Sequence, residues 1–290
     1  MGEGFAADAI FPVLPVLKES DSYHTYSRDA IDDTVETVRA DGDEANEIDW
    51  STSSATYTAE EHSLKHLVTD RVVANADKPI VPKMRATELL IDKIRLGIEK
   101  RVRDLVQATG SITNATPTVK WDASSGTITI EKDIDTGKEA VALACGFEPN
   151  VMVVPPAVAK VMKRDSTIRD LIRYTQSDLL VNGDLPPTMF NLRVVIPGAQ
   201  VNSANAGVTQ SVARIWSSDK VVLAYVNPRP TQNTMAAGIQ FRVRQGGRLD
   251  FVVTEYRVSG RKGQMVEVSV IQDEKRVCTD ALYIINDVLT

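Results

Sequence analysis

The chain is poor in the residues that metal proteins and many enzymes depend on. It has three histidines and two cysteines in 290 residues. Cys145 and Cys278 lie far apart, so they read as two free, buried thiols in a reducing compartment rather than as a disulfide framework. No apolar run approaches the length of a membrane span. Met1-Gly2-Glu3-Gly4 lacks the basic start and apolar core of a signal peptide, so a soluble protein with no membrane partner is expected. An excess of base is also missing. The net charge is −6, which argues against a dedicated nucleic-acid binder and leaves only weak contact through local basic turns. The phosphate loops G-x-x-x-x-G-K-[ST] and G-x-G-x-x-G are absent, as is the G-x-S-x-G elbow. Gly260-Arg261-Lys262-Gly263 suggests phosphate only superficially, because it lacks a strand-loop-helix setting. His62 and His66 are four apart beside Glu60 and Glu61, but that order is not a helical His-Glu-x-x-His site, and the segment reads as strand. His24 stands alone. No catalytic, metal or cofactor set emerges, and the chain is expected not to be an enzyme.

What is present is uneven. Residues 1–80 read as two extended arms around a short acidic stretch, with too little apolar matter to fold alone. Ile10-Phe11-Pro12-Val13-Leu14-Pro15-Val16-Leu17 is apolar and extended, and its prolines bar it from the middle of a sheet. Residues 22–28 alternate as a strand. Residues 36–55 carry Glu36, Asp41, Asp43, Glu44, Glu47 and Asp49 against Arg39. Burial there cannot offset the entropy of ordering an isolated chain. Residues 56–68 return toward order, and with the preceding strand they suggest a protruding hairpin that needs a partner surface.

A long helix follows. Pro82 suits its first turn, and Ile91, Ile94, Ile98, Val102 and Leu105 recur at steps of three and four. Glu99 and Arg103 form an i,i+4 pair on its surface, and Gly110 ends the run. Over residues 83–109 it would be about 40 Å long. The body is α/β. Strands are expected at 119–121, 127–131, 151–154 and 192–196, and helices at 135–145, 156–163 and 166–174. Six more strands follow, at 213–216, 221–226, 238–243, 249–258, 265–271 and 281–285. Ser259-Gly260-Arg261-Lys262-Gly263 marks a hairpin turn.

The order of these pieces resembles the major capsid protein of tailed bacteriophages, with the Hong Kong 97 fold. Ile10-Phe11-Pro12-Val13-Leu14-Pro15-Val16 looks like its arm entry. Residues 68–82 look like the lead into its spine helix. Phe147-Glu148-Pro149-Asn150-Val151-Met152-Val153 and Val222-Leu223-Ala224-Tyr225-Val226 look like strands of its axial domain, and residues 273–287 like its closing strand. The resemblance covers nearly the whole chain. It implies an α+β fold with an N-terminal arm at 1–45, an extended loop at 46–72 and a peripheral domain at 73–134 with its spine helix at 83–109. An axial domain at 135–237, return strands of the peripheral domain at 238–272 and a C-terminal strand at 273–290 complete it. The implied function is a shell subunit that forms pentamers and hexamers around double-stranded DNA. Itself, scaffolding, portal and decoration proteins would be its partners. Phe11, Val13, Leu14, Val16, Trp50 and Tyr57 are the expected contacts between subunits. Lys65, the lysine of the expected loop, has no motif that places a cross-link on it.

Two other readings stay open. An encapsulin-like compartment would share the fold and hold protein cargo. An oligomeric α/β enzyme would use the arms only to associate. A jelly-roll coat protein is disfavoured by the long helix, since that fold is nearly all strand.

Overall fold

The computed structural model describes residues 4–25, 37–39, 41, 44, 53–77, 79–173, 185–202, 204, 207, 209–247 and 249–290. A four-residue helix, α1 (Ala7–Ile10), leads into β1 (Val13–Val16), then β2 (Ser20–Thr25), β3 (Ser53–Thr58) and β4 (Glu60–Thr69). Helices α2 (Asp70–Ala74) and α3 (Pro82–Val106) come next, followed by β5 (Thr113–Ala115) and α4 (Ile130–Cys145). The middle of the chain forms β6 (Val151–Val153), α5 (Pro156–Met162), α6 (Ser166–Arg173), β7 (Thr188–Met189), β8 (Leu192–Val195), β9 (Gln200–Asn202), β10 (Val212–Arg214) and β11 (Val221–Ala224). The last elements are β12 (Gly238–Val243), β13 (Val252–Val258), β14 (Gly263–Arg276) and β15 (Leu282–Ile285).

The long helix is α3. Its buried stripe is Ala86, Leu90, Ile94, Ile98, Val102 and Val106, an unbroken step of four along one side. Ile91 and Leu105 only flank that stripe. The helix stops at Gln107, three residues before Gly110. It lies on a five-stranded sheet whose middle strand is β14. Gln272 of β14 faces Glu60 of β4 on one edge and Arg242 of β12 on the other. Val268 likewise sits between Leu64 and Val253. So β12 and β13 share one edge of β14, with the 244–251 loop between them, and β4 runs along the other. The alternate residues Val266, Val268 and Val270 are buried, as a half-covered sheet requires.

The second sheet has the order β5-β15-β11-β6-β8-β7. Its central strands β6, β11 and β15 are buried along their whole length, which is why their sequences read as continuous apolar runs. Asn150 closes the end of the β6–β11 pair. Its amide donates to the Val226 carbonyl at 2.7 Å and accepts from the Val226 N–H at 2.9 Å. Helix α4 packs on this sheet so closely that a Cβ on Gly137 would lie 2.7 Å from Leu223 Cδ1.

The α4 region corrects the sequence reading. Residues 127–131 are not a strand, and the helix starts at Ile130 rather than at 135. Alternating Thr127-Ile128-Thr129-Ile130 imitates a strand. The steps Ile130, Ile134, Val141 and Cys145 instead bury one helical face, and the Asp133 carboxylate accepts the Trp121 indole N–H at 2.9 Å. Residues 119–121 also lie outside any strand. The expected long hairpin resolves differently too. β3 pairs with β2, whereas β4 pairs with β14 over its full ten residues.

Candidate assembly surface

The N-terminal segment is held by groups from three distant parts of the chain. Glu99, on the edge of the α3 stripe, is fully buried. Its carboxylate accepts the Ala6 N–H at 2.8 Å, the Ala7 N–H at 2.9 Å and the Trp216 indole N–H at 2.5 Å. Burial raises its carboxyl above the usual range, and the three N–H donors pull the other way. Glu99 is therefore not the surface partner of Arg103 that its spacing suggested; Arg103 reaches Asp104 at 3.1 Å. Beside it, the Gln240 side chain donates to Asp8 at 2.9 Å and to the Phe11 carbonyl at 2.8 Å.

Phe11 fills the space over Gly238, where a Cβ would come within 2.3 Å of its ring. From there β1 adds to β12 in parallel, Val13 opposite Gln240 and Val16 opposite Val243. Pro15 fits, because β1 is an edge strand. A second small core sits under the β2–β3 ribbon. Tyr57 stacks on Phe241 at 4.3 Å between ring centroids, with Tyr23 tilted against the same ring at 5.2 Å. The Tyr57 hydroxyl donates to the Lys18 carbonyl at 3.1 Å.

The residues expected at the interface take these places in the single chain. Phe11, Val16 and Tyr57 are buried in their own chain. Val13 and Leu14 are half-buried on β1. Trp50 lies outside the described residues. The described residues among the first 80 are thus tied into the body at several places, because partners far away in the sequence supply the burial that the segment lacks locally. Leu17 on the arm is 85% exposed.

A polar ladder joins α3 to the sheet. Arg101 grips Glu274 with two bonds, at 2.7 and 2.9 Å. Gln272 links Glu274 to Arg242, and Phe251 lies between the Arg95 and Arg242 guanidiniums at 5.6 and 5.7 Å.

Catalytic chemistry finds little support among the described residues. No group of three or more His, Cys, Asp or Glu there could hold a metal. His62 and His66 lie on β4, about 13 Å apart along the strand. Cys145 and Cys278 are free and buried, and burial pushes the Cys278 thiol up to about 11. No helix among the described residues is long and apolar enough to cross a membrane.

The surface does carry an apolar groove of 630 Å³ where β4, α2 and the start of α3 meet. Val72, Ile80 and Leu89 line it, and all three are exposed. Arg71 and Arg85 also line it. Met84, also on α3, is 63% exposed. Sequence reasoning missed this groove and the Glu99 clasp alike. The one available signal was the apolar surplus of Val72, Val73, Ile80, Val81, Met84 and Leu89 outside the buried stripe.

A two-sheet α+β body crossed by one long helix, with an arm sewn along its edge, is a shell-subunit architecture. A family model described as phage capsid protein matches residues 53–264, and the chain belongs to that family. The chain is 25% identical over 230 residues to a major capsid protein of Burkholderia phage BcepMu, covering 77% of this chain and 71% of that protein. Against a major capsid protein of Pseudomonas phage JBD67 it is 25% identical over 273 residues, covering 90% and 84%. A phage-related protein from Bordetella bronchiseptica shares its fold with a TM-score of 0.70 at 19% identity, over 98% of this chain and 92% of that one. The mature capsid of bacteriophage PhiM1 aligns with a TM-score of 0.62 at 9% identity, over 99% and 87%. An encapsulin of Synechococcus elongatus aligns with a TM-score of 0.55 at 12% identity, over 97% and 87%. The fold is the Hong Kong 97 type, and the protein is a phage major capsid protein, a structural component of the virion.

Proposed function

We propose that copies of this chain associate as pentamers and hexamers that close an icosahedral shell around double-stranded DNA. The family match over residues 53–264 carries this reading. The division into an arm (1–45), an extended loop (46–72), a peripheral part (73–134 with 238–272) and an axial part (135–237 with 273–290) belongs to the same proposal. The two sheets support it, since β12–β14 lie with α3 whereas β6, β11 and β15 form a separate layer.

Assembly works by summing contacts that are individually weak. Many contacts per subunit, made at once, give a closed shell stability that no single pair has. With a net charge of −6, the subunit would hold packaged DNA loosely rather than grip its phosphates. Assembly in the host cytoplasm, on separate scaffolding and portal proteins and with decoration added later, completes the picture.

A compartment for protein cargo is the second reading, favoured by the shared encapsulin fold. Electron microscopy of purified particles, with their nucleic-acid absorbance and protein content measured, separates the two. Closed particles formed in the phage-producing host should contain DNA. Particles filled with a second protein support the compartment, and a small monodisperse oligomer at every concentration overturns both.

A further inference from the structure

Strand β13 has little cover. Val253 through Arg257 are exposed without a break, and among the described residues β13 pairs only with β14, along one edge. We propose that its free edge pairs antiparallel with β13 of a second copy, across a two-fold axis that passes through Tyr256. The proposal deepens the reading above, since it rests on the chain assembling on itself.

The free edge is competent to pair. A bare strand edge presents a row of N–H and C=O groups, and folded proteins block such edges with proline, lysine, a bulge or a covering segment. β13 holds no proline and no lysine. Its register with β14 runs evenly from Val252 opposite Ser269 to Val258 opposite Gly263, with no bulge to twist the edge away. Val252, Val253, Thr254, Tyr256 and Val258 are β-branched or aromatic, the types that suit a strand.

The charges on β13 select a partner instead of repelling one. An edge that pairs with itself about a two-fold axis does so with residue i opposite j and j opposite i. With Tyr256 on the axis, Glu255 lies opposite the second copy's Arg257, and Arg257 opposite the second copy's Glu255. Thr254 then faces Val258, and the two tyrosines meet at the centre. Opposite charges directly across an antiparallel pair stabilise it, and like charges destabilise it. Moving the axis by one residue sets Glu255 against Glu255 or Arg257 against Arg257, so one register is favoured.

The side chains are placed for this contact. Glu255 meets Lys83 of α3 at 3.2 Å and Arg257 meets Asp70 of α2 at 2.8 Å. Both therefore lie on the helix-bearing face, as alternation along a strand requires. They keep 47% and 53% of their side-chain surface exposed, which leaves room for a second partner of opposite sign. Tyr256 points to the other face, where its hydroxyl donates to Glu267 at 3.1 Å. A closed shell needs such a contact, because head-to-tail contacts close rings and another contact must join ring to ring.

The test uses full-length chains with the buried native cysteines left in place. Tyr256→Cys is assembled and oxidised with copper phenanthroline. Directly opposed residues have Cα atoms about 4.5–5.5 Å apart, within reach of a disulfide, so a disulfide dimer is expected. Val253→Cys is the control. In this register its two copies stand six residues apart, about 20 Å along the strands, and should not cross-link. Equal dimer from both variants overturns the proposal. Particles that form normally with no dimer from Tyr256→Cys also overturn it, while leaving shell assembly intact. A Tyr256→Cys dimer from a protein that never builds particles supports the strand pairing and overturns the shell reading.

Mixing charge variants gives the second readout. Glu255→Arg alone sets Arg against Arg, and Arg257→Glu alone sets Glu against Glu. Each should raise the concentration needed for assembly about tenfold. An equimolar mixture restores Arg opposite Glu on both sides of the axis and should assemble near the wild-type concentration. The same-chain contacts to Lys83 and Asp70 are as disturbed in the mixture as in the separate variants, so a mixture no better than its components refutes the pairing.

Discussion

Gly238→Ala should detach the N-terminal segment although it adds only one methyl group. The new Cβ would sit 2.3 Å from the Phe11 ring, well inside any tolerable contact, and the ring packs against strand backbone that cannot retreat. Phe11 is fully buried, and losing a buried phenylalanine costs about 3–5 kcal/mol. Exchanging strand glycine for alanine returns roughly 0.5–1 kcal/mol. The net loss should be about 3 kcal/mol, read as a fall in the urea midpoint. It should come with new proteolytic cleavage near residues 11–16, because β1 is an edge strand with few other holds. The decisive comparison is a double-mutant cycle. Phe11→Ala alone should cost about 3–5 kcal/mol. In that background the Gly238→Ala clash no longer exists, so the second change should be neutral or slightly stabilising. A coupling of about 3 kcal/mol is therefore expected, at the upper end of that seen for residues in contact. Additive losses, or a Gly238→Ala protein with wild-type stability and a protected segment, would refute the packing argument.

Glu99→Gln keeps the side chain's shape but turns an amide N–H₂ toward one of three N–H donors, so it should cost about 1–3 kcal/mol in chemical denaturation. Its pH dependence has a definite sign. The Glu99 carboxyl is raised in the folded chain, so the stability it contributes is fully present below the unfolded value near 4.5 and is lost as pH rises through the folded value. The advantage of wild type over Glu99→Gln should shrink as pH rises through that window; an advantage that grows with pH would refute the raised carboxyl. Asp70 works the other way. Arg257 holds it below its usual value, so its contribution is present above pH 3.8 and is lost on acidification, which Asp70→Asn should abolish in an acid titration. Arg101→Ala should cost about 3 kcal/mol, because it strands Glu274, whose side chain is only 4% exposed. Adding Glu274→Gln should recover part of that loss, as measured by thermal unfolding.

Much of the body was legible in the sequence because its signals are local. The Pro82 start and an apolar stripe at steps of three and four marked the long helix, although the buried stripe runs in steps of four from Ala86 to Val106. The run at 238–243 specified a strand, which the structure buries along its whole length, and Gly260 with Lys262 marked the turn between β13 and β14, where Lys262 takes a left-handed conformation. The order of pieces was enough to point to the capsid fold. Tertiary structure alone decided what the front of the chain does. Phe11 and Tyr57 looked like surface for a neighbour because nothing near them in sequence could bury them. Their partners, Gly238 and Phe241, are about 200 residues away. Glu99 looked like a surface charge because i,i+4 spacing is local, whereas the N–H groups that hold it come from α1 and Trp216. The same logic left the groove over Leu89 unseen, since an exposed apolar residue becomes a surface only when α2 and β4 are folded beside it. Local periodicity determines which elements form; burial and pairing across the whole chain determine which side chains remain to meet another copy.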